Sequence, residues 1–284
     1  MIDVKAISRQ EIDAWPLEEA GIPIRLLTAA LREKYVRIAD LRPLTNEKLL
    51  KIRGIGASTL REWRAYLRMA ADFERGLLRF SDVREILNFF LEKPEMQVLI
   101  QRYGLLQEED RIERSFLTLQ QIGTAAGLTR ERVRQMEESG LSHLSSRTAQ
   151  ACLDPVYSLL EALFTRLSHV AEPADFALWR KEAIWGGFSP HCVVQLLNDL
   201  RNSPWTRFRG YLSSLSRTQL ETIETALVGI LRALGRPVNS HQLSEETAEA
   251  LSRFQPANVH RLIEVILRHC PSVKRNPDGS FEAV

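Results

Sequence analysis

Cysteine is scarce in this chain: three residues among 284, Cys152, Cys192 and Cys270, all far apart. That spacing excludes a disulfide framework and a Cys-x-x-Cys zinc site. Long apolar runs are missing, and the opening "MIDVKAISRQEIDAWPLEEA" lacks the apolar core of a signal peptide. The expectation is a reducing, cytoplasmic protein with no membrane partner. A net charge of only +2 excludes a uniform polycation, so a nucleic-acid surface has to arise from local clustering. There is no Walker loop, no nucleophile–base pair, no low-complexity segment and no simple repeat. No catalytic residue, no metal ligand and no cofactor are therefore expected, and the chain reads as non-enzymatic.

What is present is helical periodicity. Apolar positions recur at helical spacing through most of the chain, and strand-like alternation is rare. Helices are predicted near 23–34, 45–52, 57–71, 81–91, 94–103, 118–125, 130–144, 155–170, 174–184, 190–201, 218–234, 245–253 and 257–270. Turn signals separate them, among them Gly54-Ile-Gly56, Gly104, Gly127, Gly186-Gly187 and "NSPW" at 202–205. The length suits two or three domains, and 44% hydrophobic residues can give each a core. The predicted class is mainly α and multi-domain, in four segments: 1–78, 79–148, 149–216 and 217–284.

Charge is uneven along the chain. Between Gly21 and Leu78 twelve Lys and Arg face six Asp and Glu, a local excess of +6. Between Ser81 and Arg114 five basic residues face eight acidic ones, a deficit of −3. The first segment can sit on phosphates while the second turns away or meets a protein.

Within the basic segment, "LTNEKLLKIRGIGASTLREWRAYL" places Leu49, Leu50 and Ile52 before Gly54-Ile55-Gly56, and Leu60, Trp63 and Leu67 after it. Two helices joined by Gly-apolar-Gly form a helix-hairpin-helix. Its glycines expose amide N–H groups at a helix start, where the dipole favours phosphate. Ser58 or Thr59 can cap that helix or donate to the same phosphate. The plain alternative is a tight helix connection with no ligand. Pro23-Ile-Arg-Leu-Leu-Thr28, Ile38-Ala-Asp-Leu41 and "NEKLLKIRGIGASTLREW" together resemble the C-terminal domain of the bacterial RNA polymerase alpha subunit, over roughly residues 20–70. The resemblance implies minor-groove DNA contact through Arg25, Gly56 and Thr59, with Gly54 in the same turn. The chain departs from that pattern at Ala57-Ser58, where lysines are common, and at Thr28, where asparagine is usual.

The run "FLTLQQIGTAAGLTRERVRQMEESGLSHL" fits a helix-turn-helix. Leu119 and Ile122 are predicted to face inward, with Gly123 at the crossing, Gly127 in the turn and Leu128 plugging the corner. Thr129 caps the second helix. Val133, Met136, Leu141 and Leu144 give that helix an inner face, leaving Arg130, Glu131, Arg132, Arg134, Gln135 and Glu138 outside. Arginine can bond guanine, glutamine adenine, and glutamate the amino group of cytosine. The alternative is an exposed helix laced by its own ion pairs, Glu131 with Arg134 or Gln135. "RYGL" at Arg102–Leu105 with "LTLQQIGTAAGLTRERVRQME" strongly resembles region four of the primary-type sigma factors of bacterial RNA polymerase, over roughly 81–146. That implies promoter reading by Arg130, Glu131 and Gln135, with Arg132 and Arg134 as further basic contacts. The family's following basic run is "SGLSHLS" here, which implies a weaker phosphate grip. Nothing resembles the aromatic-rich sigma helix that opens the transcription bubble.

After residue 149 the text is less directive. Asp154-Pro155 is expected to begin a helix. Trp179, Trp185 and Trp205 with Phe188 and Phe208 are expected to pack one middle core. The C-terminus offers two amphipathic helices and then "SVKRNPDGSFEAV", a hairpin turning at Pro277-Asp278-Gly279. Three helices plus a hairpin resemble a winged helix, with Lys274 and Arg275 in the wing. Two uses remain open: DNA contact by His260, Arg261 and Arg268, or docking of a protein. The combined expectation is a sequence-specific binder of double-stranded DNA acting in transcription, recruiting or competing with RNA polymerase. The alternatives are a DNA-locating subunit of a mobile-element or defence complex, and a nuclease with carboxylates in the middle segment.

Overall fold

The computed structural model describes residues 1–107, 117–201, 205–247 and 259–284. It is mainly helical with small sheets, and it divides into two compact units.

Unit 1 takes its described residues from 1–102, 117–156 and 183–187. Strand β1 (Ile2–Asp3) is followed by helices α1 (Arg9–Ala14), α2 (Ile24–Arg32), α3 (Ile38–Leu41), α4 (Asn46–Lys51) and α5 (Ala57–Arg75). Strand β2 (Arg79–Phe80) then pairs antiparallel with β1, Ile2 opposite Phe80. Next come α6 (Val83–Phe90), α7 (Lys93–Tyr103), α8 (Leu119–Ala126), α9 (Arg130–Ser145) and the first half of α10 (Arg147–Arg166). Helix starts are written in side chains. Thr45 accepts from the amide of Lys48, Asp82 from Glu85 and Thr118 from Gln121, each satisfying a donor that has no partner inside its helix. The core of the first five helices holds Ile12, Leu26, Ile38, Leu49, Trp63 and Phe73. Arg42 is also turned inward and pairs with Asp13 and Glu74, both at 2.6 Å.

Unit 2 holds the described parts of 103–116, 157–182 and 188–284. Strand β3 (Val170–Ala171), helix α11 (Pro173–Trp179), α12 (Pro190–Arg201), β4 (Thr206–Phe208) and β5 (Tyr211–Ser213) form its first part, and the sheet order is β3-β5-β4. Then follow α13 (Arg217–Leu234), α14 (Ser240–Glu246), α15 (Val259–His269), β6 (Val273–Arg275) and β7 (Phe281–Ala283). A single bridge ties Val238 to Phe281. Leu220, Ile223, Leu227, Leu262, Ile263, Ile266 and Phe281 pack into one apolar cluster with Phe208 and Tyr211.

Several expectations need correction. Pro155 does not open a helix: α10 begins at Arg147, where Ser146 Oγ accepts from the amide of Ala149 at 3.4 Å, and the helix runs on through Pro155. The 174–184 helix stops at Trp179 and gives way to a 3-10 turn at Ala183–Trp185. The aromatics do not make one core. Trp185 belongs to unit 1, Phe208 packs in the C-terminal cluster, and Trp179 and Trp205 each pack against Phe164. In place of the 245–253 helix, α14 covers Ser240–Glu246 and is capped at Thr247, and residues 248–253 lie outside the described residues. The turn at Asn202–Pro204 and the acidic residues Glu108, Glu109, Asp110 and Glu113 also lie outside them.

Candidate nucleic-acid interface

Helices α7, α8 and α9 form a small bundle around Val98, Ile122 and Val133, closed by Leu119 and Met136. The turn between α8 and α9 is set by two glycines with different tasks. Gly127 has φ +67°, a left-handed conformation that closes α8. At Gly123 a Cβ would lie 2.7 Å from the Leu128 carbonyl oxygen, so only glycine fits where the chain doubles back. Leu128 does not plug the corner; it is exposed, and its amide donates to the Gly123 carbonyl at 2.8 Å. Thr129 caps α9, accepting from the amide of Arg132 at 3.1 Å. Behind the turn Gly140 lets α9 approach Leu99 and Leu91 of the preceding segment. Two polar ties fix the angle. Arg102 pairs with Glu137 at 2.8 Å, and the buried Glu95 accepts from Ser139 at 2.6 Å and meets His143 Nδ1 at 3.2 Å.

The outer face of α9 carries Arg130, Glu131, Arg132, Arg134 and Gln135, all exposed. Glu131 and Arg134 form a two-toothed pair at 2.7 and 2.9 Å, and Arg134 also bonds Glu138. Gln135 donates to Glu131 at 3.3 Å, and Arg132 reaches Gln135 at 3.5 Å. The Arg134 guanidinium, with smaller help from Gln135 and Arg130, holds the Glu131 carboxyl down at about 2. Glu131 is therefore a fixed anion and an acceptor only. Arg130 has no ion-pair partner among the described residues and stands at the helix start. The local pairing expected of a laced helix and the donor–acceptor set expected of a reading helix are both present on one face.

The α4–α5 turn is arranged differently from expectation. Gly54 has φ +98°, and a Cβ there would lie 3.3 Å from Arg32 Nη2, which donates to the Arg53 carbonyl at 3.2 Å. Gly56 is the N-cap of α5 with extended backbone, φ −114°, and nothing lies within 4 Å of a Cβ built on it. The turn therefore demands glycine at 54, while Gly56 leaves a bare approach to the helix start. Thr59 is 3% exposed and faces the core, which removes it as a phosphate donor. The open hydroxyl is Ser58, whose Oγ donates to Glu62 at 3.2 Å. Arg25 is exposed in the first turn of α2, and Thr28 Oγ1 donates back to the Ile24 carbonyl at 2.8 Å.

The C-terminal candidates are occupied within the fold. Lys274 pairs with Glu282 at 3.0 Å across the hairpin, and Arg275 with Glu264 at 3.6 Å. On α15, Arg261 pairs with Asp175 at 2.6 Å and Arg268 with Glu172 at 2.9 Å, while His269 meets Glu172 at 3.0 Å. Helix α15 does not present a free basic face; its cations hold α11. Periodicity could not show this, because the partners on and before α11 lie 86 to 97 positions upstream.

No described helix is long and apolar enough to cross a membrane, and no group of three metal-binding side chains occurs among the described residues. The bundle and its capped, exposed second helix form a helix-turn-helix. Residues 91–146 match the family model of sigma-70, region 4, and the match indicates a helix-turn-helix DNA-binding role in transcription. No solved structure matches the chain.

Proposed function

We propose that this chain is a non-enzymatic, cytoplasmic, sequence-specific binder of double-stranded DNA that acts at promoter-like sites together with RNA polymerase. One observation carries the reading. The segment matching sigma-70, region 4, ends its turn in a capped helix whose exposed first two turns hold Arg130, Glu131, Arg132 and Gln135. That set offers donors for guanine, an acceptor for cytosine and both for adenine on one face. Arg130 stands foremost and takes a base edge or a phosphate. Helices α4 and α5 act as a helix-hairpin-helix of the kind in the RNA polymerase alpha C-terminal domain. They grip the backbone and minor groove through Arg25 and the bare amides beyond Gly56. The order α13, Val238 bridge, α14, α15 and β6–β7 fits a winged-helix-like domain. The basic residues of α15 and of the β6–β7 hairpin are paired internally, which favours a docking or scaffolding role over DNA contact.

Selection from random duplex DNA, with salt titration, tests the reading. Affinity falls with a log–log salt slope of roughly −0.9 per phosphate neutralised, and a base motif emerges that depends on Arg130, Glu131 and Gln135. A flat salt response, or no motif, refutes it. Copurification of RNA polymerase with the full chain tests the partner.

A further inference from the structure

Within unit 1 the connection from α1 to α2 meets the α9–α10 junction along a short, closely fitted seam. Three consecutive residues on one side face three on the other. Glu19 accepts from Arg147 twice, side chain to side chain at 2.6 Å and carbonyl from amide at 2.7 Å. The Ala20 carbonyl accepts from Thr148 Oγ1 at 3.2 Å. Gly21 has φ +77°, and a Cβ there would lie 2.8 Å from Ser146 Cβ, Ser146 Oγ and Thr148 Oγ1. Ser146 and Thr148 are themselves buried and bonded to each other at 3.2 Å. The Gly21 backbone thus lies directly against the buried side chains of Ser146 and Thr148 with no room for a side chain of its own, unlike a flexible linker. The β1–β2 pairing adds a second tie, since it returns the chain from α5 to the first turn of the molecule before α6 begins.

Beyond the seam, Ile24, Leu27 and Met69 face Phe89, Ser139 and His143 across a groove of about 670 Å³. Ile24 adjoins Arg25. Ser139 is nine residues beyond Arg130 on α9, roughly 14 Å along the helix axis. Arg25 thus borders one side of this groove, and the reading end of α9 lies along the helix that lines the other.

We infer that the seam fixes the two DNA-facing sets, Arg25 with the α4–α5 turn and the start of α9, at one distance and one phase. The chain then recognises a bipartite duplex site: a base-read segment under α9 and, at one fixed spacing to one side, a backbone patch under Arg25. This inference rests on the DNA-binding reading above and adds to it a fixed geometry. A pair of modules on a loose tether would contact backbone at variable distances; the fit at Gly21 leaves no such slack.

Hydroxyl-radical footprinting of the full chain on a duplex bearing its selected motif tests this. Wild type is expected to protect the motif and one outer patch at a single spacing. Arg25→Ala is expected to erase the outer patch alone and weaken binding several-fold. Gly21→Val, which wedges the seam, is expected to keep the motif footprint while the outer patch loses its single position. Should Gly21→Val fail to fold, the charge reversal Arg147→Glu and its partner-swapped double with Glu19→Arg read the same loss and recovery. Arg25-dependent protection scattered over many positions overturns the inference and leaves the function standing; a motif footprint with no outer patch overturns both the inference and the helix-hairpin-helix part of the function, leaving base reading by α9. Absence of any footprint overturns the function itself.

Discussion

Replacing Glu131 with alanine removes one acceptor from the exposed face of α9 and leaves the bundle beneath untouched. A carboxylate offers about four lone-pair directions. Three are occupied, by two nitrogens of Arg134 and by Gln135, so about one remains for the amino group of a cytosine. A single such contact belongs in the lower part of the range for good base contacts, about 5- to 20-fold in preference over the wrong base. Nonspecific affinity should hold or rise slightly, because an anion facing phosphates is gone and Arg134 keeps only Glu138. The pH dependence has a definite sign. Arg134 depresses this carboxyl to about 2 from an ordinary 4.5, so the charged form persists above that value and is lost only as pH falls through it. The preference should therefore be level between pH 8 and 5. Selection from random duplexes at constant salt, for wild type and Glu131→Ala, reads both effects. An unchanged motif with intact circular dichroism, or a wild-type preference fading between pH 7 and 5, refutes the reasoning.

Arg25→Ala should weaken binding to unrelated sequences alike and make the salt slope shallower by roughly 0.9, one phosphate contact, as measured by titration on motif and non-motif duplexes. Gly123→Ala should cost about 1–3 kcal/mol in urea unfolding, because its methyl has to displace a backbone carbonyl rather than a side chain. Gly54→Ala should cost about 1–3 kcal/mol from its left-handed backbone, whereas Gly56→Ala should leave the midpoint nearly unchanged. Lys274→Ala and Arg275→Ala should leave DNA affinity and its salt slope as in wild type, since Glu282 and Glu264 already neutralise both charges.

The parts legible in the sequence were those encoded by neighbours. The α8–α9 turn was readable because Gly127 and Thr129 act within three or four positions of themselves. The β6–β7 hairpin was readable because Gly279, with φ +85°, sits beside Pro277 and Asp278. The parts not legible depend on distant partners. Short helices α1 and α3 have too few turns for periodicity to register. The strands of the β3-β5-β4 sheet are two or three residues long, too brief for alternation. Arg147 gives no sign in its own surroundings that Glu19, 128 positions earlier, receives it. Likewise Thr59 looked like a cap by its place after Gly56, but a helix start presents only some of its first-turn side chains outward, and here Ser58 has that place.

Counting cations by segment measures potential; what each one is bonded to decides use. In the +6 segment Arg42 is already held by two carboxylates, whereas Arg32 and Arg64 bond only neutral oxygens, the Arg53 carbonyl and the Asn46 amide, and keep their charge. In the C-terminal segment Arg261, Arg268, Lys274 and Arg275 are all matched by acids. A paired surface arginine gains little by exchanging one anion for another, since breaking the first pair offsets the second. An unpaired one releases condensed counterions when it meets phosphate. Arg25 and Arg130 belong to the second kind. Arg25 lies at the start of α2 in a basic surrounding, and Arg130 at the start of α9, ahead of a carboxylate–arginine–carboxylate trio that orients side chains without adding net positive charge. In the proposed function, that division lets a chain of net charge +2 hold a polyanion selectively: open cations at fixed places supply attraction, and the paired groups between them supply direction.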